Sequence, residues 1–172
     1  MTLDTIAMAV EAAEKSHFRL VLVVGGPRSG KTAALQDLSG EVECPVVNLN
    51  LRLSGLLLDL TQKQRPVRVQ RILAKLIEEI GGTPIVLDNI ELLFSTELRL
   101  DPLRVLQQLA RNRTIVAAWP GRIEGDALTY AEPGHSEARR YSDPEASVVL
   151  ASSLQTSAAH GSSIQTAGEA EE

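Results

Sequence analysis

Eight consecutive residues, Gly25-Gly26-Pro27-Arg28-Ser29-Gly30-Lys31-Thr32, follow the spacing G-x-x-x-x-G-K-[ST]. A loop that wraps a row of phosphates must turn backbone N–H groups inward, which takes close main-chain approach and unusual dihedrals; Gly25 and Gly30 permit both. Lys31 would set an ammonium against the β- and γ-phosphates and the Thr32 hydroxyl would ligate Mg²⁺. A helix opening here, with Ala33 in its first turn, would aim its positive end at the same anion. The plainer alternative is a glycine-rich turn with Lys31 merely exposed. Context favours the phosphate loop: the apolar run Leu20-Val21-Leu22-Val23-Val24 precedes it and the helix-competent Ala33-Ala34-Leu35-Gln36-Asp37-Leu38 follows. ATP with Mg²⁺ is the expected ligand, held by Gly25, Gly26, Pro27, Arg28, Ser29, Gly30, Lys31, Thr32 and Ala33.

A second acidic position comes 56 residues after Thr32. Pro84-Ile85-Val86-Leu87-Asp88 reads as a strand ending in a carboxylate, and an acid placed so can support the Mg²⁺ shell of a bound nucleotide. An aspartate at a strand end is by itself a common turn residue; the phosphate loop upstream is what makes Asp88, with Thr32, the expected metal-supporting pair. The string Leu87-Asp88-Asn89-Ile90-Glu91-Leu92-Leu93-Phe94 resembles the acidic motif of origin-recognition-like AAA ATPases, in which the position of Asn89 carries the water-activating glutamate. An amide cannot accept a proton as a carboxylate does, so hydrolysis would need another base. Glu91 is the nearest substitute and Glu132 another, although Glu91 equally suits a helix start, where the macrodipole favours an acid.

These groups need a framework, and the order of apolar segments supplies one. Leu3, Ile6, Val10 and Ala13 share a helix face ahead of the first strand. Pro45-Val46-Val47-Asn48-Leu49 reads as a second strand, followed by a short helix capped by Ser54 and running to Leu60. A longer helix starts at Pro66, buries Val69, Ile72, Leu73, Leu76, Ile77 and Ile80, and stops at Gly81-Gly82. Asp101-Pro102 opens the next helix, with Leu103, Leu106, Leu109 and Ala110 inward; Thr114-Ile115-Val116-Ala117-Ala118 makes a fourth strand, and Leu128-Thr129-Tyr130-Ala131 a fifth. Strands alternating with helices imply a mainly parallel, layered sheet. The expected fold is α/β, a three-layer P-loop NTPase of the RecA/AAA-like kind, in one domain over residues 1–146. Residues 1–17 form a helix packed on it, and no helical lid follows. Past Ser147 neither the helix nor the strand period persists, so residues 147–172 are expected to be a disordered acidic tail, the alternative being a short docking helix near Val148 to Leu154.

Composition narrows the setting. Of the net charge of −5, three acids lie in that tail (Glu169, Glu171, Glu172), leaving the body nearly neutral and giving no general argument for a duplex-DNA binder. One cysteine, Cys44, rules out an intramolecular disulfide and a cysteine-built metal site, as suits a reducing cytoplasm. No apolar run approaches the ~18 residues of a membrane span, and the N-terminal stretch lacks the basic-then-apolar order of an export signal. The expected location is cytoplasmic, away from membrane.

Basic residues gather locally. Lys63, Arg65, Arg68, Arg71 and Lys75 fall in a stretch without an acid, and Arg68, Arg71 and Lys75 share one helix face. The row is either a solvated face or a contact for DNA phosphate. Arg111 and Arg113 suit a helix C-terminus, and Arg113 is also a candidate catalytic arginine finger reaching a neighbouring copy's γ-phosphate. Trp119, at the end of the fourth strand, could stack on a base or simply pack.

Taken together, the phosphate loop, Leu87 to Phe94, Asp101-Pro102-Leu103, Arg111-Asn112-Arg113-Thr114, Ala117-Ala118-Trp119-Pro120-Gly121 and Leu128-Thr129-Tyr130-Ala131-Glu132-Pro133-Gly134-His135 resemble the BrxF family. These are the small P-loop proteins of type III bacteriophage-exclusion (BREX) systems. The resemblance covers roughly residues 18–143. The loop is shared with very many proteins; the Trp-Pro-Gly and Thr-Tyr-Ala-Glu-Pro-Gly-His segments carry the particular likeness. The resemblance implies a bacterial antiphage role beside a large ATPase, a DNA methyltransferase, an alkaline-phosphatase-like protein and a helicase. It carries nucleotide binding over to Gly25 through Thr32 and metal support to Asp88, and offers no base at Asn89. Three functions stay open: a slow or partner-activated ATPase that oligomerises with nucleotide, a non-hydrolysing adaptor held in one conformation by bound nucleotide, and a nucleoside or small-molecule kinase, which fits the size but offers only the basic residues from 63 to 75 as a substrate clamp.

Overall fold

The computed structural model describes residues 2–151; the expected tail from residue 152 onward lies outside the described residues. In chain order the elements are α1 (Thr2–Glu14), β1 (Leu20–Val24), α2 (Lys31–Val42), β2 (Val46–Asn48), α3 (Leu49–Leu57), α4 (Arg65–Ile80) and β3 (Ile85–Asp88). Two short 3-10 turns, Glu91–Phe94 and Thr96–Leu98, lead to α5 (Pro102–Leu109) and β4 (Ile115–Trp119). A meander of β5 (Arg122–Glu124), β6 (Ala127–Tyr130) and β7 (Arg139–Tyr141) precedes β8 (Ser147–Leu150).

Five of these strands form one parallel sheet in the order β2-β3-β4-β1-β8. Its strands are apolar on both faces, and the two-residue period sorts their side chains. Leu20, Leu22 and Val24 of β1, with Ile85, Leu87, Ile115, Ala117 and Trp119, face a core built with α3, α4 and α5. Val21, Val23, Val86, Val116 and Ala118 face a second core with Ile6 and Ala13 of α1 and Ala34, Leu35 and Leu38 of α2. The result is a single α/β domain with helices on both sides of a five-stranded parallel sheet, an arrangement compatible with Rossmann-like and P-loop-like folds. Among the described residues no helix is long and apolar enough to cross a membrane.

The helix boundaries have local causes. Asp101 caps α5 by accepting from the Arg104 N–H at 3.1 Å, with Pro102 in the first turn where its missing donor costs nothing. Helix α4 ends at Gly81, whose φ of 65° a residue with a Cβ adopts reluctantly. The helix after β2 departs from expectation. It starts at Leu49 rather than beyond Ser54, because Asn48 Oδ1 accepts from the Leu51 N–H at 3.0 Å and caps it there, and it ends at Leu57.

Two expectations about the C-terminal part need correction. The fifth predicted strand exists as β6, but it lies in a separate antiparallel sheet of order β5-β6-β7 and not in the parallel one. The tail does not begin at 147: Ser147–Leu150 pair parallel with Val21–Val24, and Val149 and Ala151 are buried against α1 and α2. The domain body thus runs past residue 146, and β8 makes β1 an interior strand.

Candidate functional site

Parallel strands deliver their C-terminal ends to one edge of the sheet, where open α/β folds have a crevice. At this edge β1 runs into the glycine loop, β3 ends at Asp88, and β4 ends at Trp119, in register with Val24. The loop is clamped at its base. The Gly25 N–H donates to the Trp119 carbonyl at 3.1 Å, and a Cβ on Gly25 would lie 2.3 Å from Ser29 Oγ and 2.9 Å from the Ala151 side chain. Only glycine fits there. Gly26 is the opposite case, with nothing within 4 Å of where its Cβ would be. Arg28 and Gly30 take left-handed dihedrals (φ 56° and 90°) that curl the loop back into α2. Gly30 has no side chain to cap α2, so no cap at that position competes with an anion for the helix's first N–H groups.

Lys31, the first residue of α2, turns its ammonium into the loop. Nζ donates to the Gly25 carbonyl at 2.6 Å, the Gly26 carbonyl at 2.7 Å and Ser29 Oγ at 3.3 Å. Burial lowers its pKa from the ordinary lysine range, and the negative charges of Asp88 and Glu91 push the other way. Thr32 Oγ1 donates to Asp88 Oδ2 at 2.7 Å, while Asp88 Oδ1 accepts from the Asn89 N–H at 2.8 Å. Asp88 is 7% exposed and stays accountable as a buried acid because both of its oxygens are engaged. Pro27 and Arg28 are exposed at the loop tip, and Ala33 is exposed on α2.

After Asp88 the chain turns sharply. Asn89 is exposed with φ 51°, a conformation that asparagine tolerates better than most residues. Glu91 opens a 3-10 turn and is gripped by a residue absent from the expected site, Asn50. Asn50 Nδ2 donates to Glu91 Oε2 at 3.1 Å, Oδ1 accepts from the Leu92 N–H at 2.8 Å, and the Asn50 N–H donates to the Asn89 carbonyl at 2.8 Å. Three bonds from one residue fix the whole 89–92 turn. No spacing rule points to Asn50; its position just past the end of β2, beside β3, is the one signal available.

Arg113 is not brought to this edge. It lies in the segment joining α5 to the start of β4, at the opposite end of the sheet, where Ile115 N donates to the Arg19 carbonyl at 2.9 Å. Within one chain it and the loop are a strand length apart, so any role at phosphate belongs to another copy's site. Arg68, Arg71 and Lys75 are exposed along α4, with Lys75 3.7 Å from Glu79. Trp119 is fully buried: its ring packs edge-on against Phe94 and Tyr141, and Nε1 donates to the Thr129 carbonyl at 3.0 Å. It joins the small sheet to the large one and has no face for a base to stack on.

The residues fit a divalent ion held only in part by protein. Among the described residues there is no group of three or more Asp, Glu, His or Cys able to form a metal cage. The Thr32 hydroxyl and the buried Asp88 carboxylate, in contact, would supply two oxygen donors to such an ion. Comparison with protein families, curated proteins and solved structures returns no match to this chain.

Proposed function

We propose that the chain is a nucleotide-binding protein of the P-loop NTPase class, RecA/AAA-like, that takes ATP with Mg²⁺. The contact between Thr32 Oγ1 and Asp88 Oδ2 carries this reading. Two residues 56 positions apart, one in the first turn of α2 and one at the end of β3, meet at 2.7 Å beside a loop whose lysine is turned inward. The sheet order supports it too: β4 lies between the loop-bearing β1 and the acid-bearing β3, the layout of the RecA/AAA-like branch. In this reading Gly25 through Ala33 cradle the phosphates, Lys31 exchanges the Gly25 and Gly26 carbonyls for phosphate oxygens, and Thr32 and Asp88 support Mg²⁺. The ion would neutralise charge developing on the transferred phosphoryl group.

Glu91, in the turn just past Asp88, is the candidate carboxylate for orienting water. Its hold by Asn50 and the amide at Asn89 favour slow turnover, raised by a partner or by Arg113 of a neighbouring copy. The resemblance of the second half of the chain to BrxF supports a cytoplasmic role in a bacterial phage-defence (BREX) system, in an oligomer acting with other system proteins on or near DNA. The basic row from Lys63 to Lys75 is the candidate DNA contact.

The same grip on Glu91 favours the second reading, a nucleotide-bound adaptor that does not hydrolyse. Phosphate release measured alone, with DNA and with the other system proteins separates the two. Turnover that disappears in Lys31→Ala and Asp88→Ala supports the ATPase, and bound nucleotide with no turnover under any condition supports the adaptor.

A further inference from the structure

A cleft of about 440 Å³ opens beside the phosphate loop, with Gly26 and Pro27 on one wall and Arg122, Thr129, Ala131 and Glu132 on the other. Both walls hang on one atom. The Trp119 carbonyl accepts from the Gly25 N–H at 3.1 Å and from the Gly121 N–H at 3.0 Å, so the start of the loop and the turn into β5 are tied at the same point. The far wall is pinned again by Trp119 Nε1 on the Thr129 carbonyl and by the close approach at Gly121, where a Cβ would lie 1.8 Å from that oxygen. The backbone of Arg122 therefore has a fixed place relative to the loop, one residue past the tie. Its side chain does not: it is 59% exposed and engages Glu132, itself 77% exposed, and Glu124 at 3.7 Å.

From this geometry we propose that Arg122 is a ligand-contacting cation acting within its own chain, delivered by the small antiparallel sheet to the terminal phosphate of a bound nucleoside triphosphate, with Glu132 as the competing partner. The proposal rests on the nucleotide-site reading. Gly26 and Pro27 belong both to the loop and to this cleft, and the Gly26 side is open, so Arg122 shares a continuous space with one wall of the loop. A guanidinium matches phosphate in a bidentate fork and keeps its charge at any working pH. Exposed ion pairs such as that of Arg122 with Glu132 are worth little, so a triphosphate displaces the carboxylate at small cost. The diphosphate, one phosphoryl group shorter, leaves Arg122 on Glu132.

Titration calorimetry with Mg²⁺ and either β,γ-imido-ATP or ADP tests this on the wild type, Arg122→Gln, Arg122→Lys, Glu132→Gln and Lys31→Ala, each checked for an unchanged melting temperature. Arg122→Gln should weaken the triphosphate analogue about tenfold or more, the size of a lost charged hydrogen bond, and leave ADP affinity unchanged. Arg122→Lys should recover part of the loss, and Glu132→Gln should tighten the analogue alone. If Arg122→Gln binds the analogue as the wild type does, or loses both ligands equally, the role of Arg122 is overturned while loss of both in Lys31→Ala keeps the nucleotide site. If the folded wild type binds neither ligand, the nucleotide reading itself fails and takes this proposal with it.

Discussion

Thr32 Oγ1 lies 2.7 Å from Asp88 Oδ2, joining the first turn of α2 to the end of β3 across the strand between them. The hydroxyl donates and the carboxylate accepts, so the two groups that would share a metal ion's shell are already side by side. Asp88→Ala should reduce the Mg²⁺ dependence of nucleotide binding, because Thr32 is then the one remaining member of the pair that supports the ion. Calorimetry with ATP in Mg²⁺ and in EDTA checks this: a smaller advantage of Mg²⁺ is expected for the variant than for the wild type.

Asn50 is predicted to be the support of the acidic turn. Truncation to Ala removes the bonds to Glu91 Oε2 and the Leu92 N–H together and leaves that N–H unpaired. A loss of about 1–3 kcal/mol is expected in denaturant unfolding. Asn50→Asp keeps an acceptor for Leu92 but sets a second carboxylate against Glu91. It should therefore be the worse of the two for any nucleotide turnover.

Gly121 should tolerate no side chain. Its Cβ position lies 1.8 Å from the Thr129 carbonyl oxygen and 2.8 Å from Trp119 Nε1, and neither backbone nor buried ring can retreat cheaply. Gly121→Ala is expected to cost about 3 kcal/mol, seen as a lowered urea midpoint, whereas Gly125→Ala should cost far less. The Gly125 site has open space, its positive φ being the one penalty.

Alkaline pH should weaken the fold through its two tyrosines. Tyr141 donates to Asp101 Oδ1 at 2.9 Å; burial first, then that bond and the aspartate's charge, raise its pKa well above the ordinary phenol. Tyr130, pressed on Phe94, is raised by burial and by Glu137 and Glu91. A raised folded pKa means that the folded chain holds the proton more tightly, so this stability is complete below about pH 10 and is lost as pH climbs past it. Melting temperature followed from pH 8 to 12 should fall, and Tyr141→Phe should flatten the fall, leaving a remainder from Tyr130.

The order of elements up to β4 was legible because each carries its own local signal. A continuous apolar run marks β1, Pro and Gly-Gly bracket α4, and Asp101-Pro102 opens α5. Strand β8 carries none. Val148-Val149-Leu150 is too short a run to mark a strand by itself, and its place is set by pairing with β1 more than a hundred positions away, which no window of sequence registers. The small sheet was half legible for the same reason: β6 has strand-forming residues, but β5 and β7 are three residues each and are defined only by their pairing with it. At the candidate site, the loop and Asp88 were readable because they form a pattern of residue types at fixed spacing. Asn50 was not, since its hold on the acidic turn arises from β2 folding beside β3. Trp119, a candidate for stacking on a base, is consumed by packing, with its N–H spent on Thr129.

The central claim is that the chain binds Mg-ATP through Lys31, and thermal unfolding with and without ligand, alongside calorimetry, tests it most directly. Ligand at a hundred times its Kd stabilises by about 2.7 kcal/mol, a rise of roughly 5–10 °C for a chain of this size. The wild type should show that rise with Mg-ATP, and Lys31→Ala, equally folded without ligand, should show none. A folded wild type that neither shifts nor gives binding heat with Mg-ATP, or a Lys31→Ala variant that responds just as the wild type does, would contradict the account.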